Sequence, residues 1–239
     1  MTMPMNSLTD TLTEICGEGR VILDAEERAF YSQDLFDLGC EPLAVVRPGS
    51  TEAVAEVVRF AKAQGMPLFV RGGGMSYTRA FLPSSEGGLV VDTSGLDSID
   101  EINVEDGYVT VGAGCSWKAL DAALEAHGVR TTFWGPFSGA RATVGGSISQ
   151  GSATFGSGQT GTTAPAVLGM DIVTGAGEVL RSGMDAQDGP QSVLPALRPR
   201  PHGAVHARRR RPGYQDPHNA AARRAPELLW GRVFFLCGF

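Results

Sequence analysis

No run of about 18 consecutive apolar residues occurs anywhere in the 239-residue chain, so no membrane-spanning helix is expected. The first residues lack a basic segment followed by an apolar run, so no secretory leader is read there and a cytoplasmic location is the expectation. Cysteine is scarce. Cys16, Cys40, Cys115 and Cys237 stand apart without a CxxC pair, which argues against a zinc ribbon or a dithiol redox centre and for buried, inert thiols. No metal site is expected. What is abundant is glycine, 32 residues in all, within a chain that is 42% hydrophobic. That is enough apolar matter for one large domain or two subdomains, with many turns or close backbone approaches.

Charge is divided unevenly. Residues 1–183 hold 11 Lys and Arg against 22 Asp and Glu, a net of −11. Residues 184–239 hold nine Arg, no Lys and four acids, a net of +5. The chain therefore reads as three parts: an N-terminal helical lead-in over 1–39, a central domain over 40–183, and an aberrant Arg/Pro/Ala-rich tail over 184–239.

Hydrophobic periodicity organises the first two parts. Residues 7–17 are read as a helix capped by Ser7, and 24–31 as a second helix. An apolar run at 43–47 meets the turn Pro48-Gly49, after which Ser50 or Thr51 caps a helix whose apolar positions are Val54, Val57, Val58 and Ala61. Gly65 stops it, and 67–70 is the next strand, giving a βαβ unit. Strands are expected at 89–92, 108–113, 167–173 and 178–181, with a helix at 116–127 between Ser116 and Gly128. His127 ends that helix, where an imidazole meets the last carbonyls. The stretch 135–161 is rich in Gly, Ser and Thr and is read as a long loop, a length that is usually functional in a compact domain.

Two segments carry the chemistry. The first, Val70-Arg71-Gly72-Gly73-Gly74-Met75-Ser76-Tyr77, directly follows a strand. Three glycines permit φ > 0 and let successive N–H groups turn inward into an anion-binding nest, to which Ser76 adds a hydroxyl and Arg71 a charge. The bland alternative is a flexible turn. No Gly-Lys-Ser/Thr follows it as in a Walker loop, and its glycines lack the Rossmann spacing. The second runs from Gly135-Pro136-Phe137 through Ala142-Thr143-Val144-Gly145-Gly146-Ser147-Ile148-Ser149-Gln150-Gly151 to Ser157-Gly158-Gln159-Thr160-Gly161. Small residues there let a backbone lie flat against an extended ligand. A mobile linker is disfavoured by Val144, Ile148 and Phe155, which require burial.

In order and spacing these segments resemble the PCMH-type FAD-binding domain of the vanillyl-alcohol oxidase and p-cresol methylhydroxylase flavoproteins. They are also similar to FAD-linked glycolate and D-lactate oxidase-dehydrogenases. The resemblance covers roughly 40–183 and includes Pro48-Gly49-Ser50 and the strand Val167-Leu168-Gly169-Met170-Asp171-Ile172-Val173. It implies an α+β fold of two subdomains clasping FAD, without the C-terminal cap domain that builds the substrate pocket and supplies catalytic side chains. It further implies that Arg71, Gly72, Gly73, Gly74, Met75, Ser76 and Tyr77 wrap the pyrophosphate. The Val-Gly-Gly segment would contact the pyrophosphate and the isoalloxazine side, with Pro136, Thr143, Val144, Gly145, Gly146, Ser149, Gly151 and Gly161 as binding residues, and backbone atoms of Ile172 and Val173 would meet the adenine end. Some members carry a histidine tether after the triple glycine. Met75 stands there and cannot form it, so FAD is expected to be non-covalent. The parent enzyme would oxidise a small alcohol or 2-hydroxy acid by hydride transfer to flavin N5. A non-catalytic flavin-binding fragment is the alternative.

The tail loses periodicity after Gly183. Three readings apply to it: a basic nucleic-acid arm, disorder, or a translational frameshift in a GC-rich gene. Residues 193–206 can be encoded so that a one-base shift reads Phe-Phe-Arg-His-Tyr-Gly-Pro-Asp-Leu-Thr-Gly-Leu-Phe, which resembles what the family has after its FAD strand. The acidic body argues against a nucleic-acid partner. Residues 191–239 are therefore expected to form no stable part of the fold, and this chain alone to lack oxidase activity.

Overall fold

The computed structural model describes residues 4–154, 157–183 and 228–238. In the first subdomain α1 (Met5–Cys16) starts two residues before the expected Ser7 cap. It is followed by β1 (Val21–Ile22) and α2 (Ala25–Tyr31), whose cap Asp24 accepts from the Glu26 and Glu27 amides at 3.0 Å. Next come β2 (Ala44–Val46), α3 (Thr51–Gln64), β3 (Leu68–Arg71) and β4 (Leu89–Asp92). Ser50 caps α3 by accepting from the Ala53 amide at 3.1 Å, and Gly65 closes it at φ +66, a backbone that glycine adopts without a Cβ clash. The sheet order is β1-β2-β4-β3, with β4 parallel to both neighbours. The two strands of the expected βαβ unit are thus separated by β4. The chain segment between β3 and β4 therefore leaves the sheet and returns, and the glycine loop lies at the start of that excursion.

The second subdomain contains β5 (Ile99–Asn103), β6 (Tyr108–Gly112), α4 (Trp117–Glu125), β7 (Arg130–Thr131), α5 (Val144–Gln150), α6 (Ser157–Thr160), β8 (Val167–Thr174), β9 (Val179–Gly183) and β10 (Leu228–Gly238). Its sheet runs β5-β6-β10-β8-β9, with β7 pairing β10. Neighbours are antiparallel throughout. Strand β5 was not anticipated: Ile99-Asp100-Glu101-Ile102-Asn103 is half polar, and it is β6 that holds it in the sheet.

Two expectations are corrected. The stretch 135–161 is not one loop. Thr143 caps α5 by accepting from the Gly146 amide at 3.2 Å, and Val144 and Ile148, four residues apart, are both fully buried. Burial of that pair and the cap override the poor helix propensity of Gly145 and Gly146. The expectation that 191–239 stand outside the fold is likewise corrected for 228–238, which form β10 between β6 and β8. Pro226 is the last proline, and Leu, Trp, Val and Phe dominate residues 228–236, a β-forming composition placed where two strands would otherwise have open edges. The arginine run and the rest of 184–227 lie outside the described residues.

Strand β8 joins the two cores. Ile172 packs among Val109, Val111, Leu120, Ile148 and Met170 under the second sheet, whereas its neighbour Val173 packs with Leu12, Val54, Val57 and Val91 under the first. The two-residue alternation of a strand places successive side chains in opposite subdomains. The glycine loop and α5 meet on the same seam.

Candidate functional site

Each glycine of the loop after β3 is required for a different reason. A Cβ on Gly72 would lie 2.4 Å from Thr143 Oγ1, and one on Gly73 only 1.6 Å from the Arg141 carbonyl oxygen. Gly74 has φ +69, and its Cβ would meet the Arg71 guanidinium at 2.5 Å. Gln150 Nε2 donates to Ser76 Oγ at 3.3 Å, and Ser76 Oγ lies 2.9 Å from Thr78 Oγ1. The two sequence segments are therefore brought together along Gly72–Thr143, Gly73–Arg141 and Ser76–Gln150. The loop is a packed wall and not a loose turn.

Arg71 is buried, and its guanidinium points to the N-terminal lead-in. Nη1 donates to the carbonyls of Gln33 at 3.1 Å, Tyr31 at 3.4 Å and Phe30 at 3.5 Å. The rings of Phe81, Phe30 and Tyr31 surround the charge at 4.7, 5.0 and 5.1 Å. Burial lowers its pKa, although an arginine stays protonated under any ordinary condition. Arg71 lines the cleft, but its hydrogen bonds fasten residues 30–33 against the loop.

Beside it lies a network that sequence reasoning missed. Tyr31 Oη donates to Asp92 Oδ2 at 2.7 Å, and Arg47 Nε donates to the same oxygen at 2.9 Å. Arg47 Nη2 also reaches Tyr31 Oη at 2.5 Å, and the other carboxylate oxygen accepts from the Ser94 amide at 2.9 Å. Burial, then the bond to Asp92, holds the Tyr31 phenol above its ordinary pKa. For Arg47 burial pulls downward, but the bonds to Tyr31 and Asp92 outweigh it and its pKa is raised. A carboxylate is tolerated at such a buried position only when so partnered.

These groups line a cleft of about 420 Å³, within the range of small-molecule sites. Its walls hold Arg47, Arg71 and Arg141 against Glu27 and Asp92, with Ser94, Ser116, Gly114 and Thr143 between them. The cleft is net cationic inside a body of net −11, a polarity suited to a phosphate-bearing ligand.

Of the residues expected from sequence, Arg71, Gly72, Gly73 and Thr143 line this cleft. Gly74, Met75 and Ser76 continue the loop half-buried, Met75 resting on the second core, while Tyr77 is exposed. Val144 and Gly145 are buried, and their amides donate to Cys115 O at 2.9 Å and Ala113 O at 2.8 Å. They dock α5 on the end of β6. Gly146 carries the cap bond, Ser149 Oγ donates to Gly145 O at 2.8 Å, and Gly151 ends α5 at φ +58. Pro136 accepts from the Gly139 amide at 2.9 Å, and Gly161 follows α6 at φ +79. Ile172 and Val173 lie in β8 with ladder partners on both sides and do not line the cleft. Cys115 is buried, and burial first, then the nearby Asp97 charge, pushes its thiol up to about 11, so it is no thiolate at neutral pH. Among the described residues no cluster of His, Cys, Asp and Glu could hold a metal ion, and no helix is long and apolar enough to cross a membrane.

Fold and site together define the cofactor-binding part of a two-subdomain flavoprotein. The family model described as "FAD binding domain" matches residues 42–183, and the chain belongs to that family. It is similar to the D-lactate dehydrogenase of Archaeoglobus fulgidus, at 31% identity over 144 residues, covering 60% of this chain and 31% of that protein. It also resembles the glycolate oxidase subunit GlcD of Bacillus subtilis, at 28% identity over 144 residues, covering 59% and 30%. Among solved structures, p-cresol methylhydroxylase with substrate bound has a TM-score of 0.69 at 16% identity, over 97% of this chain and 43% of that one. The BBE-like 1 protein of Physcomitrella patens, in its D396N variant, has 0.71 at 22%, over 96% and 44%. The chain thus spans about a third of these curated relatives. The α+β, PCMH-type architecture and FAD as the cofactor stand on these findings.

Proposed function

We propose that this chain supplies the FAD-binding portion of a flavin-dependent oxidoreductase acting on a small alcohol or 2-hydroxy acid. The observation that carries this reading is the glycine-walled, net cationic cleft on the seam between the subdomains. The residues present fit a diphosphate: three glycines whose Cβ positions are already filled, an arginine side, and hydroxyls from Ser94, Ser116 and Thr143. Bound FAD would supply the two-electron acceptor, with N5 as the atom that takes the hydride.

The protein's own residues do the rest. Gly72 and Gly73 let the loop pack against residues 141–143 so that its backbone lines the phosphate path, Gly74 makes the turn over Arg71, and Ser76 is a further hydroxyl. Arg71 holds the lead-in so that Tyr31, bonded to Arg47, faces the cleft. Thr143 through Gly146 set α5 against β6, and Ser149, Gly151 and Gly161 shape the path beyond it. Ile172 and Val173 would flank the adenine end through their backbone. The hydroxy-acid class is supported by the names of the two curated relatives, D-lactate dehydrogenase and glycolate oxidase subunit. No described residue is assigned a catalytic role.

Position 75 is Met, so the cofactor is non-covalent in this reading. Acid precipitation of flavin-loaded protein is expected to leave the yellow colour in the supernatant, as FAD and not FMN. Colour retained in the pellet would overturn the non-covalent assignment, and a chain that acquires no flavin would overturn the reading itself.

A further inference from the structure

Three arginines line the cleft, and two already have their partners. Arg47 is paired with Asp92 at 2.9 Å, and Arg71 is held by three carbonyls and three rings. Arg141 differs. Among the described residues it has no carboxylate within ion-pair distance, and its guanidinium rests 5.9 Å from the Phe30 ring, the same ring that flanks Arg71. It is exposed, on the segment whose carbonyl touches Gly73 and whose next residue but one is Thr143. The two charges repel across the shared space: after burial, the Arg141 charge adds to the downward pull on the Arg71 pKa. Glu27, on the lead-in side, and Asp92, already bonded to Tyr31 and Arg47, are the acids facing the cleft. A guanidinium next to another, over a wall of glycines and hydroxyls, is stabilised when an anion occupies the space between them.

We infer that Arg141 is a further cofactor-binding residue, its guanidinium pairing with the diphosphate of FAD where it reaches the cleft beside the glycine loop. This rests on the FAD-binding reading above. Arginine is fitted to the task because its planar fork can grip two phosphate oxygens at once, which a lysine ammonium cannot. It also makes the site discriminate: riboflavin, with no phosphate, gains nothing from Arg141.

The test is titration of the full chain with FAD and, separately, riboflavin, followed by flavin fluorescence, for the wild type, Arg141→Ala and Arg141→Lys. Arg141→Ala is expected to weaken FAD about tenfold to a hundredfold, the worth of one charge-assisted contact. Its FAD affinity should also depend less steeply on salt, while riboflavin affinity stays at the wild-type value. Arg141→Lys should recover part of the loss. Equal FAD affinity in wild type and Arg141→Ala would overturn the inference. So would a parallel loss of FAD and riboflavin, which would mark Arg141 as part of the folded frame. A wild type that binds no FAD would strike the underlying reading instead.

Discussion

Gly73→Val is expected to abolish flavin binding while leaving most secondary structure in place. A Cβ at this position would lie 1.6 Å from the Arg141 carbonyl oxygen, 2.5 Å from its carbon and 3.1 Å from the Ala142 nitrogen. All three are backbone atoms, so no side-chain rotation relieves the clash. The loop must move off residues 141–143, and the cleft wall opens. Overpacking a close contact costs about 1–3 kcal/mol and more when backbone is displaced, so the site is lost well before either core is. The sequence alone says only that the three glycines permit φ > 0 around an anion. The structure places the Gly73 clash on a carbonyl, and the positive φ belongs to Gly74. Gly72→Ala should be milder, because Thr143 Oγ1 can turn away at the expense of its cap bond. Gly158→Ala, with no atom within 4 Å of its Cβ, is the control. Flavin content and far-UV circular dichroism read the series. Wild-type flavin content in Gly73→Val would show that the loop and the 141–143 segment need not touch.

Removal of 228–239 is expected to unfold the second subdomain. Strand β10 pairs five residues with β6 and six with β8. At roughly 0.5–1.5 kcal/mol for each hydrogen bond, a ladder of that size is worth on the order of 5–15 kcal/mol, comparable to the whole stability of a typical domain. Without it β6 and β8 expose open edges, which invites aggregation. A chain ending at residue 227 should lose the cooperative unfolding transition of the second sheet and bind no flavin. If it instead folds and binds FAD like the full chain, residues 228–238 contribute nothing and the reading of the tail as foreign to the fold is restored.

The parts of the molecule that were legible in the sequence are those decided by neighbours in the chain. Helix α3 is bracketed by a Ser50 cap and a Gly65 stop. The triple glycine announces a backbone that must come close to something. Its contact partner was not legible, because Arg141 lies 68 residues further on, where small residues draw attention to themselves and away from it. Helix α5 was hidden by Gly145-Gly146, although the Thr143 cap and the Val144–Ile148 spacing were in plain view. Tyr31, Arg47 and Asp92 span 61 residues and sit at the ends of three separate elements, so only the parallel sheet and α2 bring them together. Arg71 was identified, but its direction was not. A charge after a strand gives no sign that three carbonyls and three rings will turn it toward the lead-in.

The central claim is that residues on the seam between the two subdomains bind FAD through its diphosphate. Equilibrium titration of the purified 239-residue chain with FAD, riboflavin and ADP tests it most directly. The expected result is saturable binding of about one FAD per chain, displaced by ADP and far weaker for riboflavin, because phosphate contacts carry the affinity. Absence of saturable FAD binding, or equal affinity for FAD and riboflavin, would contradict it.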